Sequence, residues 1–149
     1  MALLIDASIL IEVERGRLDL ERHVEHRHDE QFLLSVVTAS ELLHGVHRAA
    51  SADVRAKRSA FVEAVLHRFT LLPVDLATAR THARVWAELA AVGTLIGPND
   101  LWLAATCLVH GLTIVTANIR EFERVPGLDV QVWDDNDLAG PGSPPFDRI

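Results

Sequence analysis

Short apolar runs alternate with longer stretches of helical spacing along most of the chain. Residues 2–5 (ALLI), 31–35 (QFLLS), 112–116 (LTIVT) and 128–133 are apolar runs of strand length. Residues 71–74 form a fifth candidate, which Pro73 confines to an edge or an end. Between these runs, residues 8–14, 18–28, 38–49, 54–69, 77–91, 101–110 and 119–124 have the spacing of helices. The segment 101–110 is apolar around nearly its whole circumference, which predicts a central buried helix stopped by Gly111. Strands alternating with helices predict an α/β fold, a three-layer α/β/α sandwich around a central, mainly parallel sheet. In such folds ligands gather outside the carboxyl ends of the strands.

Residues 1–135 read as a single domain, and 149 residues suffice for a core that hides roughly 70% of the unfolded surface. Residues 136–149 are expected to form a Gly/Pro-rich tail, mobile or bound to a partner. No window is long and apolar enough to span a bilayer, and the apolar start ends too early, at Asp6, to serve as a leader. Cys107 is the only cysteine, which excludes an internal disulfide and suits a reducing, cytoplasmic compartment. Its place mid-helix among apolar residues marks an inert core thiol. The net charge of −7 is uneven: through Arg120 fourteen acids face twelve Lys and Arg, giving −2, and from Glu121 onward seven acids face two arginines, giving −5. An acidic chain is not built to wrap nucleic acid nonspecifically. It remains compatible with a nucleic-acid enzyme whose site holds cations.

Four oxygen-bearing side chains fall at the same predicted sheet edge. Asp6 follows the first strand, Glu41 lies in the helix after the second, Asp100 opens the buried helix, and Asn118 follows LTIVT. Helix capping accounts for any one of them, and residues 38–41 and 118–121 both fit capping boxes. Capping accounts less well for the set, because clustered anions in a low-dielectric cleft repel unless a cation intervenes. A hard divalent ion such as Mg²⁺ takes oxygen ligands and commonly uses one or two carboxylates plus phosphate. Other uses of this edge lack their motifs. There is no Gly-x-Gly-x-x-Gly, no Walker lysine motif and no Gly-x-Ser-x-Gly elbow, and Ser8 stands where an Asp-x-Asp phosphatase needs its second acid.

Three stretches, LLIDASILIE, SVVTASELLHGV and IGPNDLWLAATCLVHGLTIVTANIREFERVPGL, together resemble the PIN-domain ribonucleases. Among these they resemble the VapC toxins of toxin–antitoxin pairs, over residues 3–133. The resemblance implies the sandwich fold and RNA hydrolysis dependent on Mg²⁺, with Mn²⁺ as a substitute. It assigns the family's three acids to Asp6, Glu41 and Asp100, with Asp6 and Asp100 holding the metal. Asn118 stands at a fourth catalytic position that is often acidic, so one charge is missing there. Ser8 and Thr116 match hydroxyl residues that position ligands. The resemblance also implies a homodimer, a VapB-type antitoxin whose C-terminal segment fills the catalytic groove, and a tRNA or rRNA substrate. Two alternatives stand beside it: another metal-dependent phosphoesterase or DNA nuclease on the same fold, and a catalytically weak antitoxin-binding module.

Several other signals read more simply. Glu41, His44 and His47 share a helix face, but zinc there needs ligands from elsewhere, and exposed histidines are the plainer reading. Residues 22–28 (RHVEHRH) read as a solvated helix face able to approach RNA phosphates with Arg15 and Arg17. Arg55, Lys57, Arg58 and Arg68 allow the same two readings. Trp86 and Trp102 sit in helical apolar patterns and are expected to pack in the core or a dimer contact.

Overall fold

The structure, a computed structural model, describes residues 1–138. The expected tail therefore lies outside the described residues from position 139 onward. Five strands form one sheet: β1 (Ala2–Ile5), β2 (Gln31–Ser35), β3 (Thr70–Leu72), β4 (Thr113–Thr116) and β5 (Asp129–Val132). Their spatial order is β3-β2-β1-β4-β5, and every pairing is parallel. The helices are α1 (Ala7–Glu14), α2 (Leu20–Glu25), α3 (Val36–His47), α4 (Ala52–Arg68), α5 (Leu76–Ala91), α6 (Pro98–His110) and α7 (Ile119–Phe122).

Alternation along the strands builds the two cores. Leu3, Ile5, Leu34 and Val115 pack on one face of the sheet with Leu10, Leu42, Val62 and Val65 from α1, α3 and α4. Leu4, Leu33 and Ile114 face the other way, against Val85, Leu89, Leu103 and Cys107 from α5 and α6. A strand apolar on both faces must be covered on both, so the short unbroken runs produce a three-layer sandwich. Each Leu or Ile sealed this way contributes roughly 1.5–3 kcal/mol. β3, followed at once by Pro73, is an edge strand as expected.

The chain moves outward from β1 to β2 and β3, then crosses back to place β4 on the other side of β1. That reversal is a topological switch point, where the connections leaving β1 and β4 diverge and open a crevice. Backbone bonds hold its lip: the Asp6 N–H donates to the Val115 carbonyl at 2.9 Å, directly beyond the β1–β4 ladder.

Three local expectations need correction. α3 starts at Val36, because Ser35 ends β2 and caps the helix by accepting from the Val37 N–H at 3.1 Å. Thr38 is therefore inside the helix, fully buried, and 38–41 is not a capping box. α6 begins at Pro98, whose fixed φ suits a first helical position, so Asp100 lies within the first turn. The 22–28 stretch is not simply solvated. His23 is 0% exposed and stacks on Trp133 at 4.8 Å, while the Arg27 guanidinium lies over the same ring at 4.7 Å. These contacts fasten α2 to the segment that follows β5. Trp102 stacks on His82 at 3.6 Å, as packing requires, whereas Trp86 stays half exposed.

Candidate active site

Asp6 leaves β1 with extended backbone and begins α1, yet its side chain makes no cap bond. The carboxylate is 5% exposed, and its Oδ2 accepts two hydroxyl bonds, from Ser8 Oγ at 2.6 Å and Thr116 Oγ1 at 2.8 Å. The two hydroxyls lie 3.2 Å apart. Both are themselves held, since Ser8 Oγ accepts from the Ala117 N–H at 3.0 Å and Thr116 Oγ1 from the Asn118 N–H at 3.0 Å. Asp6 Oδ1 has no partner among the described residues and is the oxygen left to offer. A buried carboxylate fixed by one oxygen and free at the other does not act as a cap and can offer that oxygen to a cation.

Asp100 comes to the same crevice from the first turn of α6. Burial pushes its carboxyl up to about 8, helped by contact with Glu121 and by the charges of Asp6, Glu121 and Glu41. Glu41 is also raised, first by burial and then by the Asp6 charge, with the Asn99 hydrogen bond working against both. That bond runs from Asn99 Nδ2 to Glu41 Oε1 at 2.5 Å and ties α6 to α3. A cleft of about 320 Å³ lies over Glu41, Gly97, Pro98, Asn99 and Asp100. A larger cavity, about 740 Å³, opens elsewhere, between α1 and α4, and none of these acids lines it.

Two residues join the site without a local signal in the sequence. One is Asn99. The other is Glu121, expected as the closing member of a capping box at 118–121. The Asn118 side chain makes no cap bond, and its N–H is already given to Thr116, so no such box forms. Glu121 Oε2 accepts instead from the Gly97 N–H at 3.1 Å, and its carboxylate meets Asp100. That contact with Asp100, the Gly97 bond and the Arg124 charge hold Glu121 below the usual carboxylate range. Gly97 eases this approach: a Cβ there would stand a tight 3.3 Å from Glu121 Oε2 and 3.5 Å from Asp100 Oδ2. Asn118 itself is exposed at the crevice mouth, its amide without a hydrogen bond among the described residues.

Four carboxylates thus act on one another across a single crevice, and the donors are all oxygen. No three His, Cys, Asp or Glu among the described residues close into a ready cage, for Glu41, His44 and His47 as for the acids. The fit is instead to a hard divalent ion that keeps several waters and takes few protein ligands. Two carboxylates in direct contact, Asp100 and Glu121, need a proton or a cation between them, and Asp6 Oδ1 supplies a further free oxygen.

The sheet carries acids at its switch point, and residues 3–128 match the PIN domain family, to which this chain belongs. Relatives in that family include VapC proteins. Ribonuclease VapC1 of Rickettsia felis is 37% identical over 130 residues, covering 87% of this chain and 95% of that one. The tRNA(fMet)-specific endonuclease VapC of Salmonella typhimurium is 32% identical over 114 residues, covering 74% and 84%. The crystal structure of DNA-bound VapBC from Salmonella typhimurium matches with a TM-score of 0.81 at 28% identity, covering 89% of this chain and 98% of that one. VapBC-5 from Mycobacterium tuberculosis matches at 0.69 with 30% identity, covering 89% and 98%. PIN-domain nucleases depend on a divalent metal.

Proposed function

We propose that this chain is the toxin of a toxin–antitoxin pair, an endoribonuclease that hydrolyses RNA phosphodiesters with Mg²⁺, Mn²⁺ serving as a substitute. The observation that carries the proposal is Asp6, buried and braced by Ser8 and Thr116, facing Asp100, Glu121 and Glu41 on a PIN fold. Asp6 and Asp100 would hold the ion, and Glu121 would complete the acidic wall in place of the charge missing at Asn118. When bound, the ion supplies Lewis acidity toward the phosphate and eases ionisation of water at neutral pH. Glu41, raised toward neutrality and aimed by Asn99, accepts the proton of the attacking water. Ser8 and Thr116 keep the Asp6 carboxylate from swinging away. The exposed Asn118 amide contacts the phosphate at the mouth. Water attacks the phosphorus, the P–O3′ bond breaks and the 3′-oxygen leaves, taking a proton from solvent, so no 2′-hydroxyl is needed and the products are a 5′-phosphate and a 3′-hydroxyl.

A VapB-type antitoxin is the partner that silences this activity, as the VapBC complexes among the structural matches suggest. A homodimer is the working form, and a tRNA is the first substrate to try, given the name of the Salmonella relative. No helix among the described residues is long and apolar enough to cross a membrane, and we assign the protein to the cytoplasm, where its substrate is. The test is cleavage of bulk tRNA and rRNA with Mg²⁺ by the purified chain, with Asp6→Asn beside it. Loss of cleavage in Asp6→Asn and in excess chelator, with circular dichroism unchanged, is expected. Full activity in either arm refutes the reading.

A further inference from the structure

Glu41 also forms part of the wall of a second cavity, about 190 Å³, between α1, α3 and α4. It therefore adjoins the acidic crevice without sharing Asp6, Asp100 or Glu121. Its remaining charged walls are Glu14 and three arginines, Arg15, Arg48 and Arg58. Arg58 is committed: its Nε donates to Glu14 Oε1 at 3.0 Å and its Nη1 to the Gly45 carbonyl at 3.0 Å. Arg15 stands at the rim, 59% exposed and 4.0 Å from Glu12.

Arg48 differs from both. Its backbone N–H closes α3 on the His44 carbonyl at 2.9 Å, but its guanidinium makes no hydrogen bond or ion pair among the described residues. Many other cations are already engaged. Arg68 bridges Glu21, Arg84 bridges Glu88, Arg124 holds the Leu95 carbonyl, and Arg27 covers Trp133. Seven residues part Glu41 from Arg48, two helical turns or ~10.5 Å of rise, so both look out from one side of α3. A chain of net charge −7 repels a polyanion at long range. It needs local cations to hold a phosphate strand across carboxylates, and a planar guanidinium fork matches phosphate oxygens in pairs.

We infer that this cavity seats a backbone phosphate of the RNA adjacent to the one cleaved, bound by the unpaired guanidinium of Arg48, with Arg15 at its rim and Arg58 as its fixed wall. The inference rests on the proposed ribonuclease reading. A contact of this kind positions the strand without reading sequence. It acts on binding and leaves the chemistry at the neighbouring phosphate alone.

The test is binding of bulk tRNA, and of the shortest oligoribonucleotide the parent cleaves, by proteins carrying Asp6→Asn so that the RNA stays intact. Arg48→Ala in that background weakens binding roughly tenfold, the scale of one charge-assisted bond to phosphate. The slope of log affinity against log salt becomes shallower by about 0.7, one phosphate contact on a single strand. Arg48→Lys keeps the slope, and Arg84→Ala, on α5 in the opposite layer, changes nothing. In the cleaving protein, Arg48→Ala raises KM and leaves kcat within about twofold, a split that general misfolding does not produce. An unchanged salt slope and KM, or a loss seen only in affinity for a protein antitoxin, overturns the inference while RNA cleavage by the parent stands. A parent that neither binds nor cleaves RNA overturns the ribonuclease reading itself.

Discussion

Replacing Asp100 by Asn removes a charge from the crevice while keeping its shape. The Asp100 carboxyl is moved from its ordinary 3.8 to about 8 by burial, by Glu121 and by the other acids. A carboxyl raised on folding binds its proton more tightly in the native state. Its contribution is fully present below about pH 4 and is lost as the pH climbs through 8. At 1.36 kcal/mol per pH unit, the interval from 3.8 to about 8 bounds that loss near ~5.7 kcal/mol. Asp100 is only partly buried, and Glu121 moves in the opposite direction, so solvent screening and compensation reduce the figure to about 1–2 kcal/mol. In chelator, Asp100→Asn therefore melts with the parent at about pH 4 and below and about 3–6 °C above it near pH 8.5, at ~3 °C per kcal/mol for a domain of this size.

Mg²⁺ reverses the order. The ion requires the ionised carboxylate, and because burial and the neighbouring acids keep Asp100 largely protonated at neutral pH, its apparent affinity climbs with pH toward a plateau above 8. The gain in Tm with Mg²⁺ grows with pH in the parent and stays small and flat in Asp100→Asn. Scanning calorimetry at five or so pH values, with Mg²⁺ and with chelator, measures both effects. A variant whose metal-free Tm follows the parent at every pH, or whose Mg²⁺ gain equals the parent's, refutes the idea that the ion relieves repulsion at Asp100.

Thr116→Val removes one of the two hydroxyls that hold Asp6 Oδ2, and it costs about 1–2 kcal/mol in urea unfolding along with at least tenfold in RNA cleavage; unaltered cleavage shows that Ser8 alone fixes the carboxylate. Glu121→Gln keeps the Gly97 bond and discards the charge, so titration calorimetry with Mn²⁺ shows affinity down roughly tenfold in a folded protein, whereas an unchanged affinity removes Glu121 from the metal wall. Trp133→Ala strips the ring that His23 and Arg27 both cover and lowers stability by about 3–5 kcal/mol, with Trp133→Phe recovering part of it; a loss under ~1 kcal/mol means that α2 docks by other contacts.

What the chain revealed in advance was local, and what it withheld was contact between distant segments. Strands sealed on both faces are written as continuous apolar runs, so ALLI, QFLLS and LTIVT declared a covered parallel sheet. The acids were readable because Asp6 and Asp100 stand at the junction of an apolar run and a turn, where a charge has no packing reason to be. The start of α6 was also legible ahead of the apolar run at 101, since Pro98 after Gly97 is a first-turn signal in its own right. Glu121 and Asn99 gave no such mark. Glu121 has a complete local explanation as a capping residue, and only the fold shows that the Asn118 N–H it would cap is donated to Thr116 Oγ1 and that its carboxylate lies beside Gly97, 24 positions back. Asn99 meets Glu41 across 58 positions, a contact no periodicity encodes. The same holds for Arg48 and for His23 on Trp133, whose roles depend on which neighbours use up the surrounding charges and ring faces. A charge can be placed at a sheet edge by pattern. Whether that charge is free to act is decided by its partners, and among the described residues Asp6 Oδ1 and the Arg48 guanidinium are two groups the fold leaves uncommitted.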